Sequence, residues 1–104
     1  MITAIKRALG LSQSEETIGS VVYWAGLPGR IPLNYIPCDG RALDAKQYVK
    51  LYSIIGNRWG GDGKTFNLPD LRARDSKGNV DPADPWNGKP MALVCYEGMY
   101  PYFD

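Results

Sequence analysis

Residues 59–72 read Trp-Gly-Gly-Asp-Gly-Lys-Thr-Phe-Asn-Leu-Pro-Asp-Leu-Arg, and the way this stretch is entered and left decides the fold class. It is entered from a helix. Tyr48, Leu51, Tyr52 and Ile55 fall at i, i+3, i+4 and i+7, one apolar stripe of helical period. Asp44 can cap that helix with Gln47 three positions on, a variant of the capping box, and Gly56 is placed to end it. The spacing predicts a helix over residues 45–55. Asn57–Gly63 then reads as a tight glycine-rich turn with a large aromatic side chain at its entrance. Thr65–Leu71 contains Pro69, which confines it to an extended segment at a sheet edge.

Working outward, the period changes. Ile18–Ala25 is β-rich and bounded by Gly26, Pro28 and Gly29, which predicts a strand. Leu27–Leu33 reads as an ordered loop. Asn34–Cys38 reads as a short extended piece closed by the turn dipeptide Asp39-Gly40. Ser76–Lys89 carries Asp/Pro turn signals without periodicity and reads as loop. Met91–Tyr96 is a continuous apolar run, the pattern of a fully buried strand. Near the start, Ile2, Ile5 and Leu9 make one stripe on a short helical arm. Ile at both core positions of a heptad leans toward trimers or tetramers. An arm so short does not stand alone in water, so these three residues are expected to dock on a partner. Residues 12–17 are polar and read as a linker. The expected fold is α+β, a small loop-rich domain over residues 18–104 with short strands around one central helix, preceded by the arm and linker over 1–17.

Composition removes whole classes of chemistry. The 104 residues hold 12 Lys+Arg against 11 Asp+Glu, so no electrostatic footprint for nucleic acid or an anionic membrane is present. No apolar run approaches the ~20 residues of a membrane helix, and no signal-peptide core is present. The chain is therefore expected to be made in the cytoplasm, with no nucleic-acid partner and no membrane insertion. With 12 Gly and 8 Pro the fold is expected to be rich in turns. There is no histidine, so a Ser-His-Asp or Cys-His site cannot be built from this chain. Cys38 and Cys95 are too few for a zinc site. Two buried reduced thiols or one disulfide remain open for them.

Each motif has a bland reading beside the sharp one. Gly63-Lys64-Thr65 ends like a phosphate-binding loop, but that loop needs glycine where Arg58 stands and a helix where Phe66-Asn67-Leu68-Pro69 follows. Asp62 lacks the ligand ladder of a calcium loop and is expected to be a turn residue. Asp39, Asp44, Asp62, Asp70 and Glu97 could in principle supply a glycosidase pair. Turn and cap roles explain Asp39 and Asp44 better, and Asp70 is placed for a structural ion pair with Arg72 and Arg74. No catalytic residue, cofactor or metal is expected. Trp24 and Trp59 are expected in the core. Tyr100, Tyr102 and Phe103 form a candidate exposed contact segment, because apolar residues at a chain end need burial against something.

Three blocks, in order, resemble the phage tail collar domain of short tail fibres and related bacterial proteins. Ile18-Gly19, the strand and Pro28 lead to Cys38-Asp39-Gly40. The helix with Tyr48, Leu51 and Gly56 runs into Trp59-Gly60-Gly61-Asp62-Gly63 and then Thr65-Phe66-Asn67-Leu68-Pro69-Asp70-Leu71-Arg72. Val94-Cys95, Gly98 and Pro101 match the family's last strand and tail. Asn34-Tyr35 stands where the family usually has Gly-Trp, and Ala73 where it often has Gly. The long glycine-rich insertion common before the last strand is here a gap of about seventeen residues. The resemblance implies a non-enzymatic structural component of a virion tail, a fibre or baseplate adaptor or tip. It also implies a homotrimer in contact with other tail proteins. The alternative is a receptor-binding tip that meets host cell-surface saccharide.

Overall fold

The apolar run near the end of the chain organises the fold. The computed structural model describes residues 16–101. Its elements in chain order are β1 (Val21–Trp24), a 3-10 turn at Pro28–Arg30, β2 (Tyr35–Pro37), β3 (Ala42–Asp44), α1 (Val49–Ile55), β4 (Thr65–Asn67) and β5 (Met91–Cys95). Strand β5 is the middle of a three-stranded antiparallel sheet of order β1-β5-β2. Val94 lies opposite both Val21 and Ile36, and Leu93 opposite both Val22 and Pro37. All five residues of β5 are buried, as the unbroken apolar run predicts for a strand covered on both faces. Strands β3 and β4 form a separate antiparallel pair that sets Leu43 opposite Phe66.

One face of the larger sheet carries Ile36, Ala92 and Val94 into a core completed by Leu43, Leu51, Phe66 and Leu68. Helix α1 contributes Leu51, which is wholly buried, and packs Tyr52, Ile54 and Ile55 against the core, with Tyr48 joining them from just before the helix. Tyr48 meets Tyr96 edge to face at 5.3 Å, and Tyr52 meets Phe66 at 5.2 Å. The expected α+β, loop-rich class is what the described residues show. The strands are grouped around β5, however, more than around the helix. A two-turn helix has room for one fully buried side chain, whereas β5 buries five.

The helix begins later than its stripe predicts, at Val49. Asp44 still caps the chain: its Oδ1 accepts from the N–H of Lys46 at 2.8 Å and of Gln47 at 3.3 Å. The N–H of Tyr48 bonds to the Asp44 carbonyl at 3.0 Å. But Asp44 also ends β3, and the next N–H, from Ala45, bonds to the carbonyl of Lys64. Tertiary pairing thus holds the chain extended to the edge of the helix, and residues 45–48 become turn. Gly56 ends α1 as predicted, with φ 53° and its N–H on the Tyr52 carbonyl. The arm residues Ile2, Ile5 and Leu9, and Tyr102 and Phe103, lie outside the described residues.

Candidate functional site

Two tripeptides of the same form, Asp39-Gly40-Arg41 and Asp70-Leu71-Arg72, meet back to back. Asp39 and Asp70 face each other across an antiparallel bridge. The N–H of Leu71 bonds to the Cys38 carbonyl at 2.9 Å, and the N–H of Gly40 to the Pro69 carbonyl at 3.3 Å. Each aspartate then grips the arginine two residues on. Arg41 donates Nε to Asp39 Oδ1 at 2.9 Å and Nη2 to Oδ2 at 2.8 Å. Arg72 does the same to Asp70, both at 2.8 Å. In each case Oδ1 also accepts the arginine's own backbone N–H. The result is two bidentate forks, the strong geometry for an arginine–carboxylate pair. A side chain at Gly40, whose φ is 78°, would press on the Asp70 Cβ 3.1 Å away, so the close approach needs glycine.

The forks hold both carboxylates ionised. The hydrogen bonds from Arg72 take the Asp70 pKa down from 3.8 to about 2, with the charges of Arg72 and Arg74 adding to the effect against some burial. Arg74 reaches the same Asp70 oxygen as Arg72. Asp39 is lowered in the same way, first by its hydrogen bonds from Arg41. The sequence reading found the Asp70 cluster but missed Arg41. The repeated Asp-x-Arg pattern was the available signal. Beside the forks, burial followed by the charge of Asp39 pushes the Cys38 thiol up to about 11, so it stays protonated at neutral pH.

The turn after α1 is held by its own carboxylate. Asp62 Oδ1 accepts from the N–H of Lys64 at 3.0 Å and of Thr65 at 2.9 Å, and these bonds lower its pKa. Asp62 is thus the turn residue its sequence setting implies. At Gly61, φ is 133° and a Cβ would stand 2.5 Å from the Thr65 carbonyl oxygen, so no other residue fits without moving the backbone. Gly60 accepts the N–H of Asn67, and Gly63 follows with φ 91°. Among the described residues, no group of three or more Cys, Asp and Glu is arranged to hold a metal ion.

The remaining motif residues divide by burial. Leu68 and Pro69 are buried, whereas Leu71 is exposed. Trp59 is 45% exposed, which corrects its expected place in the core. The glycine turn carries it outward, where the Arg58 guanidinium sits 5.2 Å from its ring. Trp24 is half-buried and donates Nε1 to the Leu27 carbonyl at 3.3 Å. Tyr100 is exposed, beside Met99. Cys38 and Cys95 are both buried, and no disulfide joins them to each other. The register that pairs Pro37 with Leu93 sets Cys38 opposite Ala92, three residues from Cys95. That separation is ~10 Å along a strand, beyond the ~7 Å limit of a disulfide. The register thus decides against the disulfide that the sequence left open.

Sequence reading also missed the exposed face of β1, where Val21 and Tyr23 stand 41% and 72% exposed. A continuous apolar tetrapeptide, VVYW, gives no alternation from which to tell its two faces apart.

The model of the phage tail collar domain matches residues 19–75, more than half of the chain, and the chain belongs to that family. Both forks and the glycine turn lie inside the matched region. Protein RhiB of Rhizobium leguminosarum bv. viciae is 34% identical in an alignment 73 residues long that covers 56% of this chain and 33% of RhiB. The chain thus spans about a third of the length of that curated relative. Membership connects the chain with phage tail structures. No helix among the described residues is long and apolar enough to cross a membrane.

Proposed function

We propose that the protein is a non-enzymatic structural component of a virion tail, an adaptor or tip that joins or terminates a fibre or baseplate. It works by protein–protein contact, as a homotrimer set against other tail proteins. One observation carries this reading: the motif aspartates of a collar domain are all engaged in holding backbone. Asp39 and Asp70 are committed to arginine forks and Asp62 to a turn. A general acid needs a pKa near the working pH, and the shifts of all three run the other way. What the carboxylates of such a site supply is rigidity, and what it offers outward is surface, including exposed Tyr23, Leu27, Leu33 and Tyr100.

Antibody labelling of tail particles purified from cells that carry the gene tests the assignment. Label confined to the tail is the expected result. Purified particles that lack the chain would overturn it.

A further inference from the structure

An open groove of about 510 Å³ lies at the end of the sheet where β5 begins, walled by Tyr23, Leu71, Trp86, Pro90 and Ala92 with Lys89 on its rim. Its walls are mainly apolar and no carboxylate lines it. Tyr23 is the most exposed of the large apolar side chains of the described residues, and Leu71 is 43% exposed. Lys89 makes no ion pair among the described residues. Next to it, Arg72 and Arg74 share the single carboxylate of Asp70. The neighbouring groove beside Val21 differs, because its cation, Arg58, already lies over Trp59. An apolar slot with two aromatic walls and a spare cation fits a segment that pairs large aromatic side chains with a carboxylate.

The chain itself contains such a segment, Tyr102-Phe103-Asp104. Register shows which copy can supply it. Met99 bridges Thr17 in parallel, so five residues, fully extended, carry Asp104 no further than the level of Val22. Lys89 lies two residues before Met91, which pairs with Trp24. The shortfall is about four residue spacings, roughly 13 Å, more than the two side chains can bridge. A fully extended segment is therefore too short to set the Asp104 carboxylate on the Lys89 of its own copy.

We propose that this groove receives Tyr102-Phe103-Asp104 of a neighbouring copy, the aromatic rings between Tyr23 and Trp86 and the Asp104 carboxylate on Lys89. The contact is head to tail, with different surfaces on the two copies, and such contacts close into rings when the rotation permits. The proposal rests on the reading of the chain as a self-assembling tail component and names the surfaces that would build the assembly.

Light scattering of the full chain over a concentration series tests it, with the wild type, Phe103→Ala, Lys89→Glu, Asp104→Lys and the Lys89→Glu/Asp104→Lys double variant. Thermal melting run in parallel confirms that each variant is folded. The wild type is expected to associate. Phe103→Ala and each single charge reversal should weaken association roughly tenfold, as loss of an interface anchor or a like-charge contact does. The double variant should regain most of that loss, because the swap recreates the pair. A double variant as weak as the single ones would overturn the pairing. Association that none of the changes affects would overturn the docking site and leave self-assembly standing. A wild type that stays monomeric at every concentration would overturn both.

Discussion

Residues 38–72 and residues 73–90 both use aspartates to satisfy backbone N–H groups, yet they are held in different ways. In the first region each carboxylate belongs to a structure that also spans the fold. Asp39 and Asp70 bridge two distant segments, and the turn built on Asp62 sets the start of β4. In the second, Asp75 accepts from the N–H groups of Lys77 and Asn79, Asp81 from Ala83, and Asp84 from Gly88, all within four residues. The longer ties of that loop are few: the N–H of Ala73 on the Pro85 carbonyl, and Trp86 packed against the core. The contrast teaches that local carboxylate bonds tie a stretch into the fold only where its backbone also pairs with a distant segment. A loop of local turns can be exchanged for another at little cost to the rest.

The comparison breaks most clearly at Phe66. It is wholly buried at the seam of β3, β4 and α1. Phe66→Ala should cost about 3–5 kcal/mol, read as a loss of denaturant midpoint, and in a domain this small it should approach unfolding. A cost under about 1 kcal/mol would mean that the motif region is not the rigid half.

Asp70 gives the next effect. Asp70→Asn leaves Arg72 and Arg74 without their shared carboxylate and should cost about 1–2 kcal/mol, discounted for partial exposure. The same stability should be lost by acid. The folded pKa of Asp70 lies below its unfolded value, so its contribution is complete above pH 3.8 and disappears as the pH falls toward about 2. The wild type and the Asn variant should therefore converge in stability over that window. Parallel curves from pH 5 to 2 would show that the forks contribute nothing net.

Smallest of all should be Asp84→Ala in the local loop, within about 0.5 kcal/mol, since it removes one exposed bond from Gly88. A melting shift as large as that of Asp70→Asn would erase the distinction between the two regions.

The sequence by itself determined the local elements. The stripe from Tyr48 to Ile55 located the helix, the run Met91–Tyr96 its buried strand, and Trp59–Gly63 its turn. In each, the signal spans a few residues and the cause is steric or a neighbouring hydrogen bond. It also placed the carboxylate of Asp70 with Arg72 and Arg74, because two and four residues of separation are within the reach of an arginine. Tertiary structure alone decided that β5 lies between β1 and β2, and that the two Asp-x-Arg segments stand back to back. It also decided that Trp59 faces outward, that the cysteines lie too far apart to pair, and that Asp44 ends a strand where a helix was expected to start at once. Each of these depends on which distant strands pair and in what register. That choice is set by the summed burial of the whole core, which no short window of residues contains.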